Sequence, residues 1–474
     1  MSFEKEGRLA LSESFAENAI RLRMRLGVGK SFDVIERELV SAGVKLSFFY
    51  IDGFVKDGEM QRVMQALLSM KEIPSIGAVE ERLPYVEVAR TRYMDDVICA
   101  VLSGQTAVLG ESFGGKALLV DARTYPAREP SEPEADRVMQ GARDGFVETL
   151  VVNTALIRRR IRDERLTMEH FNLGGLSKTD VVVCYLRGEC DEVSLANIRA
   201  RLGAIRPRSM TLGFQSLAEC LIGRGWLNPF PKIRSTERPD TAAAQLAEGS
   251  ILVISDNSPQ VMVLPTSIFS YLEETNDFYF PPLTGTYLRI IRVAILLLSL
   301  FITPLWYLAL KYTEALPEPL LFLIPDDPGS LPIILQLFLA EIAIDGLKIA
   351  SLNTPDTLSS SLSIIGALIL GDFAVGVGWL SEDVILYMAF IAIAGFAQQN
   401  HELGYAIKFV RMLMLALVFL LGWVGLLIGT AIFVLLIATN KTVDGKRRYL
   451  YPLCPFNKRG LSRLFIRHKK NEGD

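Results

Sequence analysis

The stretch LRIIRVAILLLSLFITPLWYLAL, residues 288–310, decides the architecture of this chain. It is apolar over the length of about 20 residues that a helix needs to cross a hydrocarbon core of about 30 Å. Arg289 and Arg292 stand at its start, and Trp306 and Tyr307 stand near its other end, where aromatic residues mark a membrane interface. The stretch therefore predicts a membrane-spanning helix whose N-terminal end faces the cytosol.

The composition of the chain changes at this helix. Half of its 474 residues are hydrophobic and 22% are charged. The charged residues are concentrated before residue 287, whereas long apolar runs dominate residues 288–438. This length and this segregation favour more than one folding unit. We therefore expect an α/β soluble N-terminal domain with two subdomains, followed by an all-α polytopic transmembrane domain.

Four regions follow from this division. Residues 1–130 and 131–286 form the two cytosolic α/β subdomains, and the acidic, proline-containing stretch 127–134 is the predicted seam between them. Residues 287–440 form the transmembrane helical domain, and residues 441–474 form a basic cytosolic tail. The N-terminus lacks the apolar segment of a cleavable signal peptide, so we expect the first domain to remain in the cytosol.

Hydrophobic periodicity predicts the elements of the N-terminal domain. Apolar residues at helical spacing predict helices, and short β-branched runs predict strands. The predicted helices are 9–26, 60–70, 145–162, 194–202 and 215–222. The predicted strands are 45–52, 97–109, 116–122, 181–186 and 251–254, of which 97–109 and 116–122 form a hairpin.

The apolar region contains further candidate spans. A second runs over residues 332–352, a third over 358–380 and a fourth over 384–397. The last block, 403–438, is too long for one untilted span, and the GWVG sequence at 422–425 predicts a bent helix or a tight hairpin. Because basic residues follow this block, the tail is expected in the cytosol, which requires an even number of crossings; we expect six, with four as the alternative.

Nucleotide and nucleic-acid binding are disfavoured. A formal net charge of −3 gives no polyanion-binding signal, so we expect no nucleic-acid partner. The sequence GESFGGKA, residues 110–117, is similar to a phosphate-binding loop, but Ala117 lacks the hydroxyl group that would bind Mg²⁺. The residues that follow predict a strand, and a phosphate-binding loop requires a helix there.

Metal and redox chemistry are disfavoured as well. His401 begins a sequence similar to the zinc motif H-E-x-x-H, but Tyr405 replaces its second histidine, and the chain has only three histidines. The five cysteines contain no C-x-x-C pair, which is typical of reduced structural thiols. We therefore expect a protein that is not an enzyme and that has no metal site and no cofactor.

Charged residues interrupt the candidate spans. Glu341, Asp345 and Lys348 stand at i, i+4 and i+7 and share one helix face, and Asp372 lies in the third span. A charge at the centre of a bilayer costs about 2.5–3.5 kcal/mol, so such residues normally face water or a partner. Two interpretations stay open. The residues line a hydrated pore formed by several copies, or Asp345 and Lys348 neutralise each other as an i, i+3 pair.

Four ordered motifs carry a resemblance to a known family. They are GARDGFVETLVVNTALIRRRI at 141–161, LGGLSKTDVVVCY at 173–185, NPFPKIRSTERPD at 228–240 and EGSILVISDNSPQ at 248–260. In this order and spacing they resemble the GerA family of spore germination A subunits. The resemblance extends over nearly the whole chain, since YLYPLCP at 449–455 is similar to the proline-rich end of the family.

Two further stretches are most similar to the SpoVAF branch of the family. These are FYIDGFVKD at 49–57 and LAEIAIDGLK at 339–348. Germinant-receptor A subunits carry a different acidic pattern where this chain has Asp345, Lys348 and the sequence SLNTP at 351–355. This departure favours an accessory role during germination over direct reception of a germinant.

The resemblance implies a function, a location and partners. We expect a ring-like homo-oligomer, with a pentamer among the candidate sizes, that conducts monovalent cations during germination in the inner membrane of the bacterial spore. The alternative is a non-conducting scaffold or signal-transducing subunit that recruits other germination membrane proteins. The basic tail is expected to contact anionic lipid, since each basic residue near such a surface contributes about 1 kcal/mol.

The resemblance also implies which residues of the motifs have structural roles. These are Glu148, Asn153, Arg158, Arg160, Glu237, Arg238, Pro239, Asp240, Gly249 and Pro259.

Overall fold

The computed structural model describes residues 9–55, 57–83, 87–125, 141–222, 228–352, 366, 374–398, 400–446 and 448–466. The chain forms two compact units. The N-terminal unit contains Met1–Gly223, Ile233–Thr266 and Val443–Gly445, and the helical unit contains Arg224–Lys232, Ser267–Thr442 and Lys446–Asp474. The main boundary therefore lies at Thr266, before the expected limit at 286. The expected seam at 127–134 lies outside the described residues.

The N-terminal unit is built from two repeats with the same order of elements, α-β-β-α-α-β-α-β-β. The first repeat contains α1 (Phe15–Leu26), β1 (Val34–Ser41), β2 (Val44–Ile51), α2 (Asp57–Leu68), α3 (Ile76–Arg82), β3 (Val88–Thr91), α4 (Met94–Leu102), β4 (Thr106–Gly110) and β5 (Ala117–Val120). The second contains α5 (Leu150–Arg160), β6 (Leu166–Leu173), β7 (Thr179–Leu186), α6 (Glu192–Ala204), α7 (Phe214–Ile222), β8 (Arg234–Thr236), α8 (Pro239–Ala247), β9 (Ile251–Ser255) and β10 (Val261–Leu264).

The two sheets also have the same topology. Their strand orders are β1-β2-β4-β5-β3 and β6-β7-β9-β10-β8, and all pairs are antiparallel. In the first repeat α1 and α4 cover one face, and α2 and α3 cover the other. In the second repeat α5 and α8 occupy the first position, and α6 and α7 occupy the second. Each repeat is therefore a three-layer α/β/α sandwich.

Burial on both faces explains why the central strands are continuously apolar. Alternate side chains of a strand point to opposite faces of the sheet. In β9, Ile251 and Val253 pack with α6 and α7, whereas Leu252 and Ile254 pack with α5 and α8. All four are buried, so no polar residue interrupts the run ILVI.

The expected strand at 97–109 is wrong over its first half. Residues Met94–Leu102 form α4, and only the later residues form β4. Val97, Ile98 and Val101 recur at helical spacing and pack on the sheet. The run VICAVL is short and apolar throughout, and such a run does not distinguish a strand from a buried helix. The other predicted helices and strands of this unit are confirmed with shifted ends, and β1, β3, β6, β8 and β10 were not predicted.

A buried ion pair joins the two repeats. Arg158 on α5 donates from Nε to Asp33 Oδ2 at 2.8 Å and from Nη2 to Asp33 Oδ1 at 3.1 Å. Both side chains are almost completely buried, and Arg158 also donates to the carbonyl of Leu166 at 3.1 Å. Next to it, the Phe32 amide donates to the Met168 carbonyl at 2.9 Å. The pair is therefore satisfied on both sides, as a buried charge must be.

The helical unit consists of helices, and its longer helices are apolar. The helices are α9 (Asn276–Tyr279), α10 (Pro282–Lys311), α11 (Ile333–Leu352), α12 (Ala374–Gly376), α13 (Glu382–Phe396), α14 (His401–Leu421), α15 (Trp423–Thr439) and α16 (Lys458–Phe465). In the described residues, α10 and α14 are long and apolar enough to cross a membrane, and α15 is a shorter apolar helix. Helices α10, α11 and α13 correspond to the first, second and fourth expected spans. Most of the third, 358–380, lies outside the described residues.

The last apolar block is a tight hairpin of two helices. The chain reverses at Gly422, whose φ of +61° and close approach to the Tyr312 hydroxyl exclude a side chain. Beyond the turn, a Cβ on Gly425 would lie 2.0 Å from the Leu417 carbonyl oxygen, and one on Gly429 would lie 2.8 Å from the Met414 side chain. Glycines at these positions let α14 and α15 pack closely along their length.

Candidate functional site: a charge network in the helical unit

Two helices supply the charged side chains of the helical unit. Helix α11 carries Glu341, Asp345 and Lys348 on one face, as expected from their spacing. Helix α14 begins at the N-cap Asn400, whose side chain accepts a hydrogen bond from the Leu403 amide at 2.7 Å. The network is formed where the charged face of α11 meets α14.

Glu341 is bound by an arginine of α14. Arg411 donates from Nε to Glu341 Oε1 at 2.9 Å, and its Nη2 donates to the same oxygen. A third bond runs from Arg411 Nη1 to the Ser299 carbonyl on α10, at 2.9 Å. The two side chains are only 5% and 6% exposed, so the pair lies in a region of low dielectric.

Lys408, one turn before Arg411, binds both carboxylates of α11. Its Nζ lies 3.1 Å from Glu341 Oε2 and 2.5 Å from Asp345 Oδ2. It also donates to the Glu341 carbonyl at 3.2 Å. The alternative in which Asp345 pairs with Lys348 at i, i+3 is therefore wrong, because Asp345 pairs with Lys408 of another helix.

Lys348 lies against aromatic rings. Its Nζ is 5.5 Å from the ring centre of Phe396 and 5.8 Å from that of Tyr405. Both distances are within the range of a cation–π interaction, which partly compensates an ammonium group for lost water. Among the described residues, no carboxylate forms a salt bridge with Lys348.

A cavity of about 60 Å³ lies beside the network. Asp345, Lys348, Lys408, His401 and Gln398 are among the residues that line it. Two buried polar atoms at this cavity, Asp345 Oδ1 and Gln398 Nε2, have no hydrogen-bond partner among the described residues. An acceptor and a donor that share one small polar cavity fit water molecules or a small ion.

The network carries a formal charge of +1, from three basic and two acidic side chains. Glu341 is paired with both Arg411 and Lys408, whereas one oxygen of Asp345, a side chain that is 30% exposed, has no hydrogen-bond partner among the described residues. On the charged face of α11, Glu341 is therefore buried and fully paired, whereas Asp345 and Lys348 lie at the edge of the cavity. The fourth expected pore-lining residue, Asp372, lies outside the described residues.

The two partners on α14 were not identified from the sequence. Lys408 and Arg411 stand at i, i+3 in an otherwise apolar block, so they share one helix face. Two bases on one face of an apolar helix, and two acids at i, i+4 on another, form a complementary pattern. This pattern was the available signal, because an unpaired charge inside an apolar helical unit is costly.

A second charge network lies at the start of α10. Asp277 is fully buried and accepts hydrogen bonds from Arg292 at 2.9 and 3.1 Å and from Arg289 at 3.3 Å. Arg292 also forms an ion pair with Glu274. The two arginines that we expected as an interfacial, topology-setting pair are therefore neutralised within the unit. They fix the preceding segment to the first apolar helix.

The family-motif residues form a third group, inside the second repeat. Buried Arg238 donates to the Ala142 carbonyl at 2.8 Å and to Asp240 Oδ2 at 2.7 Å. The Phe146 amide donates to the Glu237 carbonyl at 2.8 Å. These hydrogen bonds therefore connect the first motif to the third beside α5.

The other motif residues shape turns and helix ends. Asn153 exchanges two hydrogen bonds with the backbone of Val147, at 2.8 and 2.5 Å. Pro239 lies in the first turn of α8, and Gly249 has a φ of +86°. The Glu148 carbonyl accepts from the Asn257 amide at 2.8 Å, and Pro259 stands between β9 and β10. Arg160 is paired with Asp144, and Arg158 forms the buried pair described above.

The two near-motifs lie in ordinary structural settings. The loop 110–117 connects β4 to β5, so a strand follows it, as expected. His401 is the first residue of α14. In the part of the chain that the structure describes, no group of three or more His, Cys, Asp or Glu residues could hold a metal ion. Burial raises the pKa of the Cys184 thiol far above its usual value, which makes this thiol unreactive.

Comparison with known proteins agrees with the motif resemblance. The chain is 35% identical to stage V sporulation protein AF of Bacillus subtilis (strain 168), over 99% of this chain and 96% of the relative. It is 28% identical to spore germination protein KA of the same organism, over 98% of this chain and 86% of that relative. Among solved structures, the N-terminal domain of the A subunit of the Bacillus megaterium spore germinant receptor GerK3 aligns with a TM-score of 0.39 and 22% identity, covering 55% of this chain and 98% of that one.

The family assignment rests on the length of the match. A family model described as Bacillus/Clostridium GerA spore germination protein matches residues 22–472, which include both repeats and the helical unit. Its members among the relatives are spore germination and sporulation proteins. The chain belongs to the GerA family of spore germination proteins.

Proposed function

We propose that this chain is a membrane subunit of a spore germination complex and that its copies form a ring-like channel for monovalent cations. The helical unit crosses the inner membrane of the spore, and the N-terminal unit and the basic tail lie in the cytosol. The chain acts without enzymatic chemistry. The observation that carries the proposal is the charge network between α11 and α14 with its polar cavity.

Charged side chains cost free energy when they lie among apolar helices. Three basic and two acidic side chains surround a cavity of about 60 Å³ within helices that are otherwise apolar. Core packing alone needs no such group, since an apolar core of the same volume is as stable or more stable. Ionisable residues at membrane depth accordingly mark water-filled or ion-conducting regions.

Within the network, we assign Asp345 to the ion pathway and Glu341 to its support. Asp345 lines the cavity, and its buried Oδ1 has no partner among the described residues, so we assign this oxygen to the binding of a cation that enters the cavity. Glu341 uses its carboxylate to hold Arg411 and Lys408. Lys348, held beside Phe396, stays at the edge of the cavity and limits how many cations bind there at once.

The tail and the N-terminal unit supply the proposed contacts with other molecules. Helix α16 begins with Lys458 and lies in the basic tail, which suits an anionic lipid surface. The two repeats of the N-terminal unit provide the surface through which copies assemble and other germination membrane proteins bind. The names of the relatives support this context, since they are spore germination proteins.

The test is ion flux through purified full-length protein in liposomes. We expect cation flux for the wild type and a clear loss of flux for Asp345→Asn. The matched control is Glu314→Gln, which removes the same charge at an exposed position outside the network. Flux that is equal in wild type, D345N and E314Q would remove the network from the pathway.

A non-conducting scaffold is the second candidate, and one observation favours it. Glu341 and Arg411 satisfy each other within one chain, so their burial requires no neighbouring copy and no water. A scaffold predicts no flux from the purified chain alone and a complex with other germination membrane proteins. Native mass spectrometry of the detergent-solubilised chain separates the two candidates: a closed homo-oligomer supports the channel, and a monomer bound to a partner supports the scaffold.

A further inference from the structure

A cavity of about 530 Å³ lies in the second repeat, between the segment 142–147 and helix α5. Its volume falls in the range of small-molecule sites, about 300–1,000 Å³. Val147, Val152 and Leu156 provide an apolar part of the lining. The cavity therefore combines the size and the partly apolar lining that an organic ligand needs.

Arginines dominate the polar part of the lining. Among the described residues that line the cavity, Arg143, Arg159, Arg160 and Arg162 face one carboxylate, that of Asp144, which gives this lining a formal charge of +3. Asp144 is used by Arg160, whose Nη2 donates to both of its oxygens at 2.6 and 2.7 Å. These two hydrogen bonds from one nitrogen, together with the bond from Nη1 to the Leu156 carbonyl at 3.2 Å, hold the Arg160 guanidinium in place.

The other three arginines have no acidic partner in the part of the chain that the structure describes. Among the described residues, no carboxylate forms a salt bridge with Arg143, Arg159 or Arg162. Arg159 lies over the ring of Tyr125 at 4.6 Å, and Arg162 donates to the Ser103 hydroxyl at 3.4 Å. Stacking orients a guanidinium and leaves its N–H donors available to an oxyanion.

The first repeat supplies an internal control for this arrangement. Helix α1 occupies the position of α5 and also ends in arginines, so basic residues at this helix end have a structural role, which is to complement the helix dipole. In α1, however, each arginine has a carboxylate partner: Arg21 pairs with Glu17, Arg23 with Glu36, and Arg25 with both Asp95 and Glu164. Arginines at this helix end can therefore have a structural role while carboxylates neutralise them. The excess positive charge around the cavity of the second repeat has no counterpart at this helix end of the first repeat.

We propose that this cavity is a binding site for a small organic anion that carries at least two carboxylate or phosphate groups. The guanidinium groups of Arg143, Arg159 and Arg162 bind the oxygens, and the apolar wall at Val152 and Leu156 contacts the carbon part of the ligand. Arginine suits this chemistry because its fork of donors matches carboxylate and phosphate oxygens. The site lies in the N-terminal unit and is independent of ion conduction by the helical unit.

The test is titration of the full-length protein in neutral detergent with sodium pyrophosphate and, separately, with sodium citrate. Isothermal titration calorimetry at a constant ionic strength of about 150 mM removes non-specific screening effects. We expect saturable one-site binding of at least one probe. Arg159→Gln and Arg162→Gln should each weaken it about tenfold or more, the size expected for loss of a charge-assisted hydrogen bond.

Arg62→Gln is the matched control, because it removes the same charge from an exposed position on α2. Binding by this variant within about twofold of wild type supports the site, since one exposed charge contributes little at this salt concentration. Repeating the titration in nanodiscs with phosphatidylglycerol identifies the source of the anion. If this lipid competes with the probe in wild type but not in R159Q, the result supports a lipid headgroup as the ligand of the same site. Absence of saturable binding in wild type, or equal weakening in R62Q and R159Q, overturns the proposal.

Discussion

Replacing Glu341 by leucine isolates the energetics of the network between α11 and α14. In the wild type, Arg411 makes two hydrogen bonds to Glu341 and one to the Ser299 carbonyl. The variant removes both of the first and leaves a guanidinium that is 5% exposed without a counter-charge. Lys408 loses one carboxylate but keeps Asp345 at 2.5 Å. The main cost is therefore the uncompensated arginine.

The size of this cost follows from the burial of the pair. Removing one partner of a buried, hydrogen-bonded ion pair costs about 3–5 kcal/mol, whereas replacing both partners by apolar groups of similar volume is often neutral. We therefore expect E341L to destabilise the helical unit by about 3–5 kcal/mol and the double variant E341L/R411M to recover most of that loss.

The assay is equilibrium unfolding in mixed detergent micelles. The other three tryptophans of the chain are replaced by phenylalanine, so that the fluorescence comes from Trp306. This side chain is buried in the helical unit, where its indole N–H donates to the Leu323 carbonyl at 2.8 Å. Matched control Glu314→Leu should remain within about 0.5 kcal/mol of wild type, as exposed substitutions usually do. The reasoning is refuted if E341L behaves like this control, or if the double variant is as unstable as the single one.

Three further predictions concern the rest of the fold. Arg158→Met leaves Asp33 buried without its partner and should lower the stability of the N-terminal unit by about 3–5 kcal/mol, measured by its thermal unfolding. Burial raises the pKa of Asp52, more than its hydrogen bond lowers it, so the native state binds the proton more tightly than the unfolded chain. The free energy of unfolding of the wild type should then rise as the pH falls through the pKa of Asp52 in the folded state towards the ordinary pKa of an aspartate. Asp52→Asn should be more stable than wild type at neutral pH, and this difference in stability should disappear in acid. Gly425→Leu places a Cβ 2.0 Å from a carbonyl oxygen and should open the hairpin of α14 and α15, detected as faster proteolysis there.

The sequence predicted the division into a mixed α/β region and an apolar helical region, because composition and hydrophobic runs are local properties. The repeated topology of the N-terminal unit could not be predicted in the same way. The two repeats share an order of elements and a strand order, but β1 with VIERELVS and its counterpart β6 with LTMEHFNL have no identical residue at matching positions and differ in burial over their first halves. What repeats is the arrangement of layers, which appears only when the strands pair.

The charged residues show the same limit. Periodicity correctly placed Glu341, Asp345 and Lys348 on one face of α11, since helical spacing fixes that relation. It offered only Lys348 as a partner for Asp345, in one of two open interpretations, because Lys408 comes from a helix far along the chain. In the N-terminal unit, Asp33 was likewise missed as the partner of Arg158, since contacts between repeats leave no local signal.

Ion selectivity across a planar bilayer tests the central claim most directly. Purified full-length protein is inserted between solutions of unequal potassium chloride concentration, and the reversal potential is measured for wild type and Asp345→Asn. Loss of the carboxylate raises the formal charge of the residues that line the cavity from +1 to +2, so the reversal potential should move away from the potassium equilibrium potential. A conducting wild type whose reversal potential and conductance D345N reproduces in full would contradict the assignment of this cavity to the ion pathway.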